Sequence, residues 1–306
     1  NYSKLYDYIK YHLNVLENSI FFENFTILKD HELKSLSHLK NIGLENETIT
    51  MIYKEIINYS SKNFPLALAK DIKAIYQKFI DSFDEIEQLA NNRKFISENI
   101  LVDISLYNFL ITGDYEKSEK YFLKDVRDMD DFIKNFENKL IPILNKIGLE
   151  WELNNISVSK EHLAINIINH IITAFFSKQV KNKENHKANI VLCNIEGENH
   201  NLIINLIDKS LQHLGYKTYN LSSSIPNEDL LEFIKDINKL DFVILSCTLQ
   251  SNLTKVYDLI DKIKKHHPNV ISIIGGAGFK NIYDPKKVFA IDYYCHDIRQ
   301  VLDILK

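Results

Sequence analysis

The sequence is poor in glycine and proline, with 8 and 5 residues among 306, and this scarcity argues against a turn-rich all-β protein. Its 3 cysteines lie far apart without CxxC spacing, which argues against a disulfide framework or zinc site and favours a reducing, cytoplasmic compartment. No apolar run approaches the ~20 residues of a membrane span, and no secretory leader is visible. A formal net charge of -4 gives no electrostatic footprint for nucleic acid.

The composition is otherwise that of an ordinary globular chain, with 45% hydrophobic and 25% charged residues. Its length predicts roughly two or three domains. Residues 1–95 are predicted to be helical, since Leu5, Ile9, Leu13 and Leu16 recur at helical spacing. No residue pattern in 1–95 indicates a catalytic or ligand-binding site.

Residues 96–180 are predicted to form a four-helix bundle with short connections. Gly113-Asp114 separates two helices, Pro142 begins another, and Asn154-Asn155 interrupts again before the last. The following stretch, 178–187, is polar and charged without apolar periodicity, so we interpret it as a linker.

The pattern changes over 188–306, where short apolar strands alternate with amphipathic helices. This alternation predicts a parallel sheet with helices on both faces. Five strands suit the flavodoxin-like (Rossmann-like) order 2-1-3-4-5. The predicted fold class is therefore a helical N-terminal region and helical bundle followed by a C-terminal α/β domain.

Ligands of such sheets bind beyond the carboxyl ends of the strands, which here means the loops after the first, third and fourth strands. Those loops contribute the candidates Glu198, His200, Ser246, Thr248, Gly275 and Gly276. The three strands are neighbours in this order, so one ligand could touch all three loops. Each residue also has a structural interpretation: a solvated histidine, helix caps, or a tight turn.

Together these loops resemble the three-part pattern of cobalamin-binding domains: an acidic residue and histidine, then Ser-x-Thr, then Gly-Gly. The resemblance implies that His200 is the lower axial ligand of cobalt and that Glu198 holds its second ring nitrogen. It also implies that the serine, threonine and glycines line a slot for the nucleotide tail. Ile203 stands where that family has glycine, which leaves open haem or bilin, instead of cobalamin or in addition to it.

A second motif lies in the helical bundle, where nine residues separate Trp151 from Glu161-His162. This spacing resembles the cap domain of the light-sensing adenosylcobalamin regulators of the CarH/LitR type. The resemblance implies that Trp151 packs on the upper adenosyl group, that Glu161 contacts its polar atoms, and that His162 can ligate cobalt after photolysis. The structural alternative is a core tryptophan followed by an ordinary helix start.

The two resemblances imply a non-enzymatic photosensory and signalling protein that acts in transcription regulation. Adenosylcobalamin would lie between the cap, 96–180, and the α/β domain, 188–306. Light-driven Co–C cleavage would then change oligomeric state or partner binding. The MerR-type DNA-binding domain of that family is not evident in 1–95, which argues against direct DNA binding. We expect this block to bind a protein partner or a second copy, unless it only extends the helical core.

Two alternatives remain open at this point. One is a corrinoid methyl-carrier subunit of a methyltransferase, which also joins a helical bundle to this α/β domain. The other is a haem- or bilin-binding sensor built on the same scaffold.

Overall fold

The computed structural model describes residues 2–41, 44–179, 186–221 and 224–305. The chain divides into two compact units, Asn1–Asn18 with Ile168–Lys306, and Ser19–Ile167. Most of the predicted linker lies outside the described residues, which omit 180–185. The division into 1–95, 96–180 and 188–306 stays a prediction.

Helices fill the chain up to the predicted linker, as the apolar spacing predicts. They are α1 (Tyr2–Phe21), α2 (Phe25–Asn41), α3 (Asn46–Asn63), α4 (Leu66–Asp81), α5 (Phe83–Asn99), α6 (Ile104–Thr112), α7 (Tyr115–Leu123), α8 (Met129–Asn135), a π-helical turn (Phe136–Leu140), α9 (Ile141–Glu152) and α10 (Val158–Ser177). Because α8, the π turn and α9 are continuous, the predicted bundle consists of four helical runs: α6, α7, the α8–α9 run and α10.

Helix boundaries in this region follow from local capping chemistry. Gly113 adopts a left-handed conformation, φ 83°, and ends α6, since glycine has no Cβ to oppose it. The next residue, Asp114, caps α7 by accepting a hydrogen bond from the backbone N–H of Lys117, 3.1 Å away. A Cβ at position 113 would lie 2.9 Å from the Leu163 side chain. The predicted break at Gly113-Asp114 is therefore confirmed, and the glycine also allows α10 to pack closely.

The unit Ser19–Ile167 has an aromatic core. Tyr53 stacks on Tyr76 with ring centroids 5.5 Å apart, and Phe122 meets Phe132 edge to face at 5.3 Å. Among the described residues, no single helix has the length and hydropathy of a membrane span, although α5 and α6, bent by 103°, meet those criteria as a pair.

The remaining elements form a five-stranded parallel sheet with helical connections, as predicted. They are β1 (Asn189–Asn194), α11 (Leu202–Leu214), β2 (Lys217–Asn220), α12 (Asn227–Asp236), β3 (Phe242–Ser246), α13 (Leu253–His266), β4 (Ile271–Gly275), α14 (Pro285–Val288), β5 (Tyr293–Cys295) and α15 (Ile298–Ile304). The strand order is β2-β1-β3-β4-β5, which confirms the predicted topology.

The central strands of the sheet are buried, as expected of an all-parallel sheet with helices on both faces. The strands β1, β3 and β4 are almost entirely inaccessible to solvent, whereas the edge strand β2 is partly exposed. α11 packs with α15, and α12 packs with α13. Asp297 caps α15 through the backbone N–H of Gln300 at 2.9 Å, so the last helix begins where the sequence predicts.

Candidate functional site

The sheet register brings the predicted loops to one edge. Asn194 at the end of β1 pairs with Ser246 at the end of β3, and Ser246 pairs with Gly275 at the end of β4. The three chains therefore leave the sheet side by side. The sequence predicts this arrangement, and the structure confirms that the loops are neighbours.

The loop between β1 and α11 carries Glu198 and His200. It turns at Gly197, whose φ of 87° is left-handed and thus suited to glycine. The backbone N–H of Gly197 donates to the hydroxyl of Ser224 over 2.6 Å. Lys255 of α13 donates to the carbonyl oxygen of Glu196 at 3.2 Å. The loop is thereby fixed on both sides of the turn.

Glu198 is completely buried, and both of its carboxylate oxygens are hydrogen-bonded. Its Oε2 accepts hydrogen bonds from the backbone N–H groups of Thr248 and Leu249, both at 2.9 Å. Its Oε1 accepts from the backbone N–H of His200 at 3.2 Å and from Nδ1 of the same residue. The carboxylate therefore links the histidine loop to the loop after β3.

These contacts determine the protonation state of Glu198. Burial raises the pKa of the carboxyl, but the hydrogen bond and charge of His200 and the two backbone N–H groups lower it more, so the pKa lies below its ordinary value. Glu198 is consequently an anion at neutral pH and accepts the proton of Nδ1.

His200 has the surroundings of a metal-binding imidazole. Its side chain is 55% exposed while its carboxylate partner is 0% exposed. With Nδ1 donating to Glu198, the ring is held in one tautomer and Nε2 is the nitrogen that could bind a metal, which is the usual arrangement of a ligating histidine. The donor set thus fits a lower axial ligand of a cobalt corrinoid. The assigned roles of Glu198 and His200 stay predictions.

The residues predicted to line a nucleotide slot lie beside this pair. The loop after β3, which holds Ser246 and Thr248, is bonded directly to the glycine turn: the N–H of Cys247 donates to the carbonyl of Gly275 at 3.0 Å, and the N–H of Gly278 donates to the carbonyl of Cys247 at 3.0 Å. Gly276 has φ 114°, and a Cβ there would collide with the Cys247 backbone. The glycine turn therefore allows close packing against the Cys247 backbone. Its predicted role in lining a slot for the nucleotide tail stays a prediction.

Ile203 is the second residue of α11 and is partly buried. It lies on the first turn of the helix that follows the histidine loop.

Sequence reasoning missed several residues that support the histidine loop. Lys255 lies one turn into α13, and Asn227, the first residue of α12, donates through its backbone N–H to Glu196 at 3.2 Å and through Nδ2 to the carbonyl of Lys255 at 3.2 Å. Two residues of α1, Tyr11 and Asn18, also contact this edge. No local pattern marks them, because their partners are distant in sequence.

The bundle motif is found in the other unit. Trp151 lies in the last turn of α9 and is 46% exposed, which excludes the interpretation of a buried core anchor. Glu161 and His162 lie in the first turn of α10, and their side chains approach within 3.3 Å, with the histidine 70% exposed. Their predicted contacts with an upper axial group stay predictions.

The acidic neighbours of Trp151 anchor the end of α9. Glu150 accepts a hydrogen bond from Ser97 at 2.6 Å, and Glu152 pairs with Lys34 at 3.0 Å and with Arg93. Helices α2, α5 and α9 are thus connected by charged groups, and Trp151 faces outward from an anchored helix end.

Comparison with known proteins agrees with the site in the α/β region. Residues 188–297 match the B12 binding domain family. The HTH-type transcriptional repressor CarH of Myxococcus xanthus is 24% identical over 150 residues, which are 49% of this chain and 49% of that protein. A corrinoid protein of Desulfitobacterium hafniense (strain Y51) is 22% identical over 175 residues, covering 55% of this chain and 80% of that protein.

Among solved structures, the monomethylamine corrinoid protein of Methanosarcina barkeri has a similar fold, with a TM-score of 0.55 at 16% identity over 66% of this chain and 95% of that one. The chain spans about half the length of the repressor it matches. These comparisons support a cobalamin-binding protein and lend no support to haem or bilin.

Proposed function

We propose that this protein binds adenosylcobalamin through His200 and acts as a light-responsive signalling protein rather than an enzyme. The observation that carries the proposal is the buried anion Glu198, held by two backbone N–H groups and engaging Nδ1 of His200. Burying a carboxylate costs desolvation free energy that its hydrogen bonds must offset, so its placement in this loop indicates a specific task. Orienting one imidazole toward a metal is such a task, and it lies inside the segment that matches the B12 binding domain.

The proposed upper contacts come from the bundle. A tryptophan that is 46% exposed at an anchored helix end offers a rigid apolar surface to a ligand. We propose that Trp151 packs on the adenosyl group, that Glu161 binds its polar atoms, and that His162 approaches cobalt after photolysis. The bound cofactor would supply a Co–C bond that visible light breaks. Loss of adenosyl would then change the oligomeric state or the surface offered to a protein partner through residues 1–95.

A corrinoid methyl carrier is the second candidate. It is favoured by the similarity to the corrinoid protein of Desulfitobacterium hafniense, of which 80% is covered. A carrier exchanges its upper ligand with a partner enzyme, so it should bind methylcobalamin and adenosylcobalamin with little preference.

The two candidates differ in what Trp151 does. We expect wild-type protein to prefer adenosylcobalamin over methylcobalamin in the dark, and Trp151→Ala to reduce that preference about tenfold, as loss of one aromatic contact should. Phe95→Ala, which removes another exposed aromatic side chain of the same unit, serves as the matched control.

Green light should change the absorption spectrum and the molecular mass in solution of the adenosylcobalamin-loaded wild type. Equal affinities and a constant mass would instead favour the carrier.

A further inference from the structure

The buried side chain of Asn18 joins the N-terminal helix to the segment that follows β3. Asn18 of α1 is 0% exposed. Its Nδ2 donates to the carbonyl oxygen of Ser251 at 3.0 Å, and its Oδ1 accepts from the backbone N–H of Thr254 at 2.7 Å. Nδ2 also donates to the carbonyl of Asn14, one turn earlier in α1, at 2.7 Å. Asn18 and Ser251 are 233 residues apart in sequence.

The side chain of Asn18 caps the N-terminus of α13, which has no capping bond from its own N-cap residue. The N–H of Thr254 belongs to the first turn of α13, where N–H groups have no partner within the helix. The N-cap residue of α13, Asn252, makes no side-chain capping bond. The cap comes from α1 instead, so α1 fixes the position at which α13 begins.

A second residue of α1 reaches the same segment. Tyr11 lies seven residues before Asn18, close to two helical turns, so both side chains share one face. The hydroxyl of Tyr11 is hydrogen-bonded to the side chain of Ser251. α1 therefore contacts the segment after β3 at two points.

The segment that α1 holds is also the one that holds Glu198. The backbone N–H groups of Thr248 and Leu249, which bind the carboxylate, lie just before the buried turn Gln250–Asn252 and the start of α13. The contacts run without interruption from Asn18 through residues 248–254 to Glu198 and from there to His200. Each step is a hydrogen bond or a few residues of backbone.

We propose that α1 is a positioning element of the corrinoid site, with Asn18 as the residue that fixes the donors of Glu198 and thereby the orientation of His200. The identity of the ligand in this inference rests on the proposed function. Residues 2–18 then belong to the ligand-binding machinery although they lie outside the matched segment, 188–297.

The test compares Asn18→Ala and Tyr11→Phe with the control Glu17→Ala, which alters an exposed residue of the same helix. Hydrogen exchange of the Thr248 and Leu249 amides is measured in the full chain without cofactor. Affinity and absorption spectrum are measured with adenosylcobalamin in the dark. We expect Asn18→Ala to speed exchange and weaken affinity, each about tenfold, and to increase the fraction of cofactor whose lower face is uncoordinated. Tyr11→Phe should act in the same direction but less, and Glu17→Ala should change nothing.

Wild-type exchange and a wild-type spectrum in Asn18→Ala would overturn the proposal. If Asn18→Ala does not fold, Tyr11→Phe decides in its place, because it keeps the ring and removes only the hydroxyl. Failure of the wild type to bind adenosylcobalamin would count against the proposed function instead. The amide exchange would then decide by itself whether α1 holds the donors of Glu198.

Discussion

At the scale of single residues, the buried carboxylate of Glu198 has hydrogen-bond partners at both of its oxygens. The carboxylate of Glu198 has four hydrogen-bond contacts, to the backbone of Thr248, Leu249 and His200 and to Nδ1 of His200. Such a fully satisfied buried anion resists rearrangement, because moving it would leave a desolvated charge unpaired. The imidazole is therefore oriented before any ligand arrives, which reduces the ordering that binding requires.

The glycine turn beside this pair allows a direct prediction at the same scale. Gly276→Ala should lower the free energy of unfolding by about 1–3 kcal/mol or more, because φ 114° disfavours a side chain and the Cβ would collide with the Cys247 backbone. Gly148→Ala is the control: a Cβ there meets nothing within 4 Å in the helix α9, so it should stabilise by about 0.5–1 kcal/mol. Denaturant titration of the two variants without cofactor measures both changes. Equal stability of the two variants would show that the turn adapts freely.

At the scale of elements, the anchoring of α9 explains how an exposed tryptophan keeps a defined position. Glu150 and Glu152 flank Trp151 and bind groups on α2 and α5, while the indole faces outward. Helices α2 and α5 therefore share ion pairs with α9 within the unit Ser19–Ile167.

Breaking this anchor should have a measurable effect. Glu152 is 17% exposed and Arg93 is 22% exposed, so Glu152→Ala removes the carboxylate that a partly buried guanidinium contacts and leaves Asp30 as its acidic neighbour. We expect the free energy of unfolding to fall by about 1–3 kcal/mol. Lys265→Ala removes the exposed ion pair with Asp261, with exposures of 68% and 51%, and should cost less than about 0.5 kcal/mol. Thermal unfolding of both variants, followed by circular dichroism, provides the comparison. An effect of Glu152→Ala no larger than that of Lys265→Ala would show that the ion pairs of Glu152 do not stabilise the end of α9.

At the scale of the whole molecule, the sequence predicts what depends on local pattern. Buried apolar strands alternating with helices indicate the sheet order, and the strand order in turn indicates which loops meet, as the register of Asn194, Ser246 and Gly275 confirms. The sequence also predicts that Glu198 and His200 lie near each other, because both belong to the short loop after β1.

What the sequence does not predict depends on contacts between distant segments. Asn18 capping α13 and Lys255 bracing the histidine loop involve pairs of elements that no local periodicity connects. The sequence also does not predict that residues 1–18 belong to the unit that contains the sheet, because that assignment depends on contacts between distant segments and α1 has no motif that marks them. The packing role of Gly276 is likewise visible only when the neighbouring backbone of Cys247 is in place.

The central claim is that His200 is the axial nitrogen ligand of a bound cobalt corrinoid. The most direct measurement is the electron paramagnetic resonance spectrum of the protein loaded with cob(II)alamin, with and without heavy-nitrogen labelling of histidine. We predict that labelling converts the axial nitrogen splitting from a triplet to a doublet, that His200→Ala abolishes this response, and that His296→Ala, an exposed histidine at the end of β5, retains it. An unchanged triplet in the labelled wild type would assign the ligand to the cofactor's own base and contradict the account.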